Sequence, residues 1–258
     1  MAQYILYEKK DNIGVLTINR PEALNALNLD VLKEIDACVA ELEKDKELRA
    51  LILTGTGRSF VAGADIAYMS KFDVDAGREW GRFASKLFRR MEQLEFPTIA
   101  AVNGFALGGG CEIAMTCDVI IASEKAKFGQ PEVTLGVIPG FSGTQRLPRR
   151  VPLGWAKELI YSGGMISAEQ AKEIGLVNHV YAPEELMDKA MELAKSFAKN
   201  GPIAVKYAKA AINRGMQTDI DSGIAIENEL WALCFCTEDQ KEGMAAFLEK
   251  RPADFKNK

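Results

Sequence analysis

Apolar and polar positions change rhythm repeatedly along the chain. The runs "YILYEKK" and "IGVLTINR" are strand-like and are separated by Asp11-Asn12, which predicts a hairpin. In "LNLDVLKEIDACVAELEKD" the apolar positions recur at helical spacing. "RALILTG" is a short apolar run suited to a buried strand, and "AGREWGRFASKLFRRMEQLE" returns to the helical period. "PTIAAVNGFA" then reads as one buried strand running into glycines, and "DVIIAS" as another. Strands alternating with helices predict an α/β core.

After "RVPLG" the pattern becomes helical. Ser167 and Gln170 stand at capping-box spacing, with Gly175 as a stop signal. "APEELMDKAMELAKSFAKNG" reads as a helix closed by Asn200-Gly201, and Pro202 suits the first turn of the next helix, which Gly215 ends. Thr237 and Gln240 repeat the capping-box spacing before "EGMAAFLEK". The expected division is therefore an α/β region over 1–195 and a helical region over 196–258. No low-complexity segment or clean repeat interrupts either.

Composition narrows the class. With 258 residues, 48% hydrophobic and 26% charged, the chain can bury a sizeable core in one large domain, with or without a small appendage. Its net charge of −4 argues against nucleic acid as a partner. The best basic cluster, Arg146, Arg149 and Arg150, is no run of five. Five cysteines (Cys38, Cys111, Cys117, Cys234 and Cys236) lack the spacing of a disulfide framework and are expected as free thiols in a reducing cytosol. The opening "MAQYILYEKK" lacks a secretory pattern, and no apolar run reaches membrane-spanning length, so a cytoplasmic protein without a membrane partner is expected.

Candidate chemistry concentrates in three places. In "ALGGGCEIAMTCD" three glycines precede Cys111 and Glu112. Glycines let backbone approach a ligand, and a helix start offers free N–H groups that suit an anion or a developing oxyanion. Gly109 and Glu112, three apart, share a helix face. The same letters fit tight helix packing with Glu112 in solvent. "FGQPEVTLGVIPGF" places Glu132 among apolar residues, where burial raises a carboxyl pKa, although a loop could also turn it outward. "RSFVAGADIAYM" is a strand-to-helix turn in which the Ala64 N–H could face a ligand. The phosphate-loop, dinucleotide and HExxH motifs are absent, as is GxSxG, and no metal-ligand cluster is visible. The single histidine, His179, lies in a strand-like run and reads as structural, and Trp80, Trp155 and Trp231 read as core or interface residues. What remains is chemistry by carboxylates and backbone amides.

Taken together, "INRPEALNAL", "SFVAGADI", "PTIAAVNGFALGGGCEIAMTCD", "FGQPEVTLGVIPGFSGTQRL" and "TEDQKEGMAAFLEKR" resemble the crotonase (enoyl-CoA hydratase/isomerase) family, in family order over nearly the whole chain. Within it the likeness is to short-chain bacterial members that dehydrate 3-hydroxybutyryl-CoA. The resemblance implies an α/β spiral of repeated ββα units, then a helical C-terminal trimerisation region, and homohexamers made of two trimers. It implies Glu112 and Glu132 as the catalytic pair, the Ala64 and Gly109 N–H groups as an oxyanion hole, and Ala23, Leu24, Ala62, Ala64, Asp65, Ile66 and Gly109 as substrate and CoA contacts. Coenzyme A would be part of an acyl-CoA thioester substrate, with no separate cofactor and no metal. Having both glutamates favours hydration over the rival enoyl-CoA isomerisation, and acidity disfavours an RNA-binding role known in the family. Three positions depart from the common pattern: Glu22 and Ala67 stand where many members carry lysines near the CoA phosphates, and Ser142 replaces a frequent glycine.

Overall fold

The computed structural model describes residues 3–258. The opening runs form the expected hairpin: β1 (Ile5–Lys10) and β2 (Ile13–Ile18) pair antiparallel, Lys10 opposite Ile13. Helix α1 (Leu29–Leu42) starts where the Asn28 side chain accepts from the Val31 N–H. It buries Val31, Leu32, Ile35, Val39 and Leu42, the apolar face that the helical period announces.

From there a unit of two strands and a helix recurs. β3 (Ala50–Gly55) and β4 (Ser59–Val61) lead into α2 (Ile66–Met69) and α3 (Val74–Glu92). β5 (Thr98–Val102) and β6 (Phe105–Leu107) lead into α4 (Gly109–Ala114). β7 (Val119–Ser123) and β8 (Lys127–Gly129) lead through a 3-10 turn, Pro131–Leu135, into α5 (Gly143–Arg150) and α6 (Leu153–Ser162). β9 (Met165–Ser167), α7 (Ala168–Glu173) and β10 (His179–Tyr181) complete the sheets. Four helices follow: α8 (Leu186–Ala198), α9 (Pro202–Gly215), α10 (Ile220–Cys234) and α11 (Glu238–Glu249).

Each repeat adds one strand to each of two sheets, so the chain climbs as a spiral. The larger sheet has the order β1-β2-β3-β5-β7-β10 and is parallel beyond the hairpin. The smaller has the order β4-β6-β8-β9, with only β9 antiparallel. "PTIAAVNGFA" is therefore two strands rather than the single one its apolar run suggested. The break is at Asn103-Gly104, where a Cβ on Gly104 would run into the Arg58 carbonyl, so the chain turns a corner that only glycine fits.

The central strands read as continuous apolar runs because both faces are covered. One face joins the main core, with Leu51, Leu53, Ala100 and Val102. On the other, Ile52, Ile99 and Ile121 pack against Leu186, Ala190 and Ala194 of α8. The Ser167 capping box forms in full, whereas at Thr237 only the hydroxyl-to-Gln240 N–H half exists and the Gln240 amide turns to Met244.

Candidate active site

Glu112 sits on α4, in its first turn, and is 1% exposed. Its helix starts at a corner that demands glycine twice. Gly108 has φ +51°, and a Cβ there would lie 2.7 Å from Glu132 Oε1. A Cβ on Gly110 would collide with the Val61 carbonyl of β4. The carboxylate is anchored by one oxygen only: Oε1 accepts the Phe141 N–H at 2.8 Å and the Gly143 N–H at 2.6 Å. The Oε2 atom is left without a hydrogen-bond donor among the described residues, free to hold a small polar molecule. Burial, reinforced by the charge of Glu132, pushes Glu112 up to about 8, against the pull of the two N–H donors.

The 3-10 turn after β8 carries Glu132, and burial raises it to about 7. Beside it Gln130 is fully buried; with its amide assigned so that the nitrogen rather than the oxygen faces Glu132, it donates to both carboxylate oxygens at 3.1 and 3.2 Å. The two glutamates come together because β6 and β8 are neighbours, with the Gly108 N–H donating to the Gly129 carbonyl at 2.9 Å just where each strand gives way to its glutamate-bearing turn. Two carboxyl groups with raised pKa values can divide the work of acid and base near neutrality.

Two backbone donors border the same cleft. The Leu27 N–H donates to the Gly63 carbonyl at 2.8 Å, and the Asp65 N–H to the Leu27 carbonyl at 2.8 Å. That parallel bridge engages the residues flanking Ala64 and turns the Ala64 N–H away from Leu27. Gly109 is the first residue of α4, so its N–H has no intrahelical acceptor. Ala64 and Gly109, with Ala62, Ile66, Glu112 and Glu132, wall a single cleft of about 520 Å³.

The other expected contacts lie outside those walls. Leu24 accepts the Ala62 N–H at 3.1 Å, so the Ala23–Leu24 turn abuts the cleft edge. The Asp65 carboxylate is occupied: Oδ2 accepts from Arg20 at 2.8 Å and Oδ1 from the Tyr68 N–H at 3.1 Å. Arg20 also donates to the Ala26 carbonyl at 3.0 Å, and the wholly buried Asn25 bonds Arg20, Thr56 and Ser59. These polar groups clamp the segment that orients Ala64. Glu22 and Ala67 are exposed. Ser142 takes a left-handed φ of 83°, and its hydroxyl donates to Ser85 of α3 at 3.2 Å. It lies between the two N–H groups that hold Glu112.

His179 is exposed on β10 and does not line the cleft. Trp80 is buried as expected but also lines the cleft, as does Met69. Sequence reasoning missed Gln130 and the roles of Phe141 and Gly143. The only available signal was their place in "FGQPE" and "GFSGTQ", and the bonds they make cross up to 31 residues.

The profile of the enoyl-CoA hydratase/isomerase family matches residues 8–258. The chain is 57% identical over 256 residues to a short-chain-enoyl-CoA hydratase of Clostridium acetobutylicum, covering 98% of each chain. It is 54% identical over 255 residues to a crotonyl-CoA hydratase of Syntrophomonas wolfei, again covering 98% of each. Among solved structures, an enoyl-CoA hydratase from Bacillus anthracis superposes with a TM-score of 0.96 at 41% identity, over 99% of this chain and 100% of that one. The glycine-lined turns, the paired carboxylates and the two-sheet spiral thus sit in a chain whose whole length matches one family, and the protein belongs to the enoyl-CoA hydratase/isomerase family.

Proposed function

We propose that this protein is a hydro-lyase that reversibly adds water, in the syn sense, to short-chain trans-2-enoyl-CoA thioesters such as crotonyl-CoA, giving (3S)-3-hydroxyacyl-CoA. The observation that carries the reading is the meeting of a buried carboxyl, Glu112, and a half-buried one, Glu132, both with raised pKa values, with two unpaired backbone N–H groups at one cleft. Family membership and the names of the two relatives support it.

The chemistry follows from the donors and acceptors. In an enoyl thioester, attack at C3 moves negative charge onto the thioester oxygen. The N–H groups of Ala64 and Gly109 stabilise that charge, and losing one such donor costs about 3–4 kcal/mol in comparable sites. Glu112, anchored through Oε1, holds the water on Oε2 and, in the form of the pair whose shared proton sits on Glu132, takes the water's proton as the bond to C3 forms. Glu132 delivers a proton to C2, and dehydration reverses both transfers. Acid, base and oxyanion stabiliser all come from the chain, so no separate cofactor and no metal enter the reaction. The CoA portion leaves the cleft past Ala62 and the Ala23–Leu24 turn, with Ile66 and the neighbourhood of Asp65 on its flank. The region after residue 195 serves assembly, as a homohexamer of two trimers. Five free cysteines fit action in the reducing cytoplasm, and among the described residues no helix is long and apolar enough to cross a membrane.

The test follows loss of the conjugated enoyl-thioester absorbance with crotonyl-CoA, for the wild type beside Glu112→Gln and Glu132→Gln. Rapid wild-type loss and a drop of about 10²–10⁴-fold in each variant are expected. Wild type that fails to hydrate crotonyl-CoA but converts a 3-enoyl-CoA to the 2-enoyl isomer would replace this reading with isomerisation.

A further inference from the structure

The cleft is walled on its far side by α3, and that wall has two kinds of residue. Trp80 is 7% exposed and packs edge-on against Phe141, ring centroids 5.6 Å apart, and against Phe72, 5.9 Å apart. All three line the cleft. Phe141 is also tied to the reaction centre. Its N–H holds Glu112, and its ring lies 3.1 Å from where a Cβ on Gly109 would stand. One aromatic ring therefore lies between Gly109 and Trp80, so these rings bound the cleft on that side. The indole Nε1 is buried and has no hydrogen-bond partner, so it is not offered to the cleft, and the ring meets the cleft with carbon.

Next to these rings the lining is glycine. Gly77 and Gly81 lie one turn apart on α3, and Gly140 lies across from them. A Cβ on Gly77 or Gly140 would meet nothing within 4 Å, and one on Gly81 would meet only the Gly140 carbonyl, at 3.4 Å. Side chains would fit there without disturbing the protein. Their absence leaves a seam beside the rings that opens to solvent at Gly77 and Gly140.

We propose that Trp80, backed by Phe72 and Phe141, sets the acyl length this site accepts, and that the seam of Gly77, Gly81 and Gly140 is the channel through which any longer, unbranched and apolar tail must pass. Replacing Trp80 by a smaller side chain deepens the cleft, while adding carbon at Gly81 closes the seam. Because each methylene in an apolar pocket changes discrimination by roughly tenfold or more, both changes are readable as ratios.

The inference rests on the hydratase reading, and the experiment separates the two. The ratio of kcat/KM for trans-2-octenoyl-CoA to that for crotonyl-CoA is measured in the wild type, Trp80→Leu and Gly81→Ala. Trp80→Leu is expected to raise the ratio by about tenfold or more, and Gly81→Ala to lower it by a similar factor. Should Trp80→Leu fail to fold, Gly81→Ala carries the test alone, since alanine favours the helix that glycine weakens. Ratios unchanged from wild type in the folded variants would overturn the proposal. Calorimetric binding of butyryl-CoA and octanoyl-CoA reads the same wall without turnover. A length preference that shifts there, in a protein that hydrates neither enoyl substrate, would sink the hydratase reading and keep the wall.

Discussion

At Glu112 the protein holds a carboxyl in the core by giving one of its oxygens two backbone N–H donors and leaving the other to the cleft. The pair with Glu132 is thereby poised to share one proton between about pH 7 and 8. A bell-shaped kcat/KM profile is expected. Activity falls on the acid side of that window, where both groups are protonated, and on the alkaline side, where both are ionised; a profile flat from pH 6 to 9 would contradict the pairing. Stability carries the opposite information. Glu112 has a raised pKa in the fold, against 4.5 for an ordinary glutamate, so between those values the folded chain keeps a proton that the unfolded chain has released. Stability contributed by this site therefore falls as pH rises through that window. Glu112→Gln removes the titration. Thermal unfolding at fixed protein concentration should show it more stable than wild type by on the order of 1–3 kcal/mol at pH 8, the gain shrinking towards pH 4.5.

The element that decides the site is α4, a helix of six residues whose start is fixed by close approach rather than by propensity. Gly108→Ala places a methyl group against the Glu132 carboxylate and forces a left-handed φ on a residue that resists it. The expected result is a fall in kcat of about 10²-fold or more, the scale set by misplacing a catalytic group by an ångström, with circular dichroism close to wild type. The Arg20–Asp65 pair is the corresponding device at the other N–H. Both side chains are only 17% exposed, and the pair spans 45 residues to hold the segment carrying Ala64. Asp65→Asn retains an oxygen for the Tyr68 N–H but weakens the arginine contact. It should lower kcat more than it raises KM, because the Ala64 N–H, as the proposed oxyanion donor, would be engaged most strongly in the transition state.

On the scale of the whole molecule, α9 and α10 bury no residue, yet they expose Ile212, Ile220, Ile224 and Trp231, with Met216 exposed just past the end of α9. Apolar area of that extent on two adjacent helices is what an assembly interface requires. Helix α9 is tied to the α/β region by Lys209, whose Nζ meets Asp118 at 2.8 Å and the Phe96 carbonyl at 2.9 Å. The division proposed at residue 195 falls in the last turn of α8, whose Leu186, Ala190 and Ala194 cover the large sheet. Ile212→Glu together with Trp231→Glu should shift sedimentation from the proposed hexamer towards smaller species; sedimentation unchanged from wild type would remove these helices from the interface.

Much of this was legible in the chain itself. Apolar period located the hairpin, the long helices and the buried strands, because a residue's face is set by its immediate neighbours in sequence. The glycine turns before Glu112 and at Gly63 identified Ala64, Gly109 and Glu112 as candidates, because backbone exposure and helix starts are local properties. Tertiary structure alone decided that "PTIAAVNGFA" divides between two sheets, and that Glu112 and Glu132 meet through neighbouring strands β6 and β8. It also decided that Phe141 and Gly143 supply donors to a carboxylate 29 and 31 residues earlier, and that Trp80, an ordinary core residue by its letters, walls the cleft. The reason is the same in each case: the spacing of apolar residues tells a segment which face to bury, while the partner on that face is chosen by how the turns of the spiral stack.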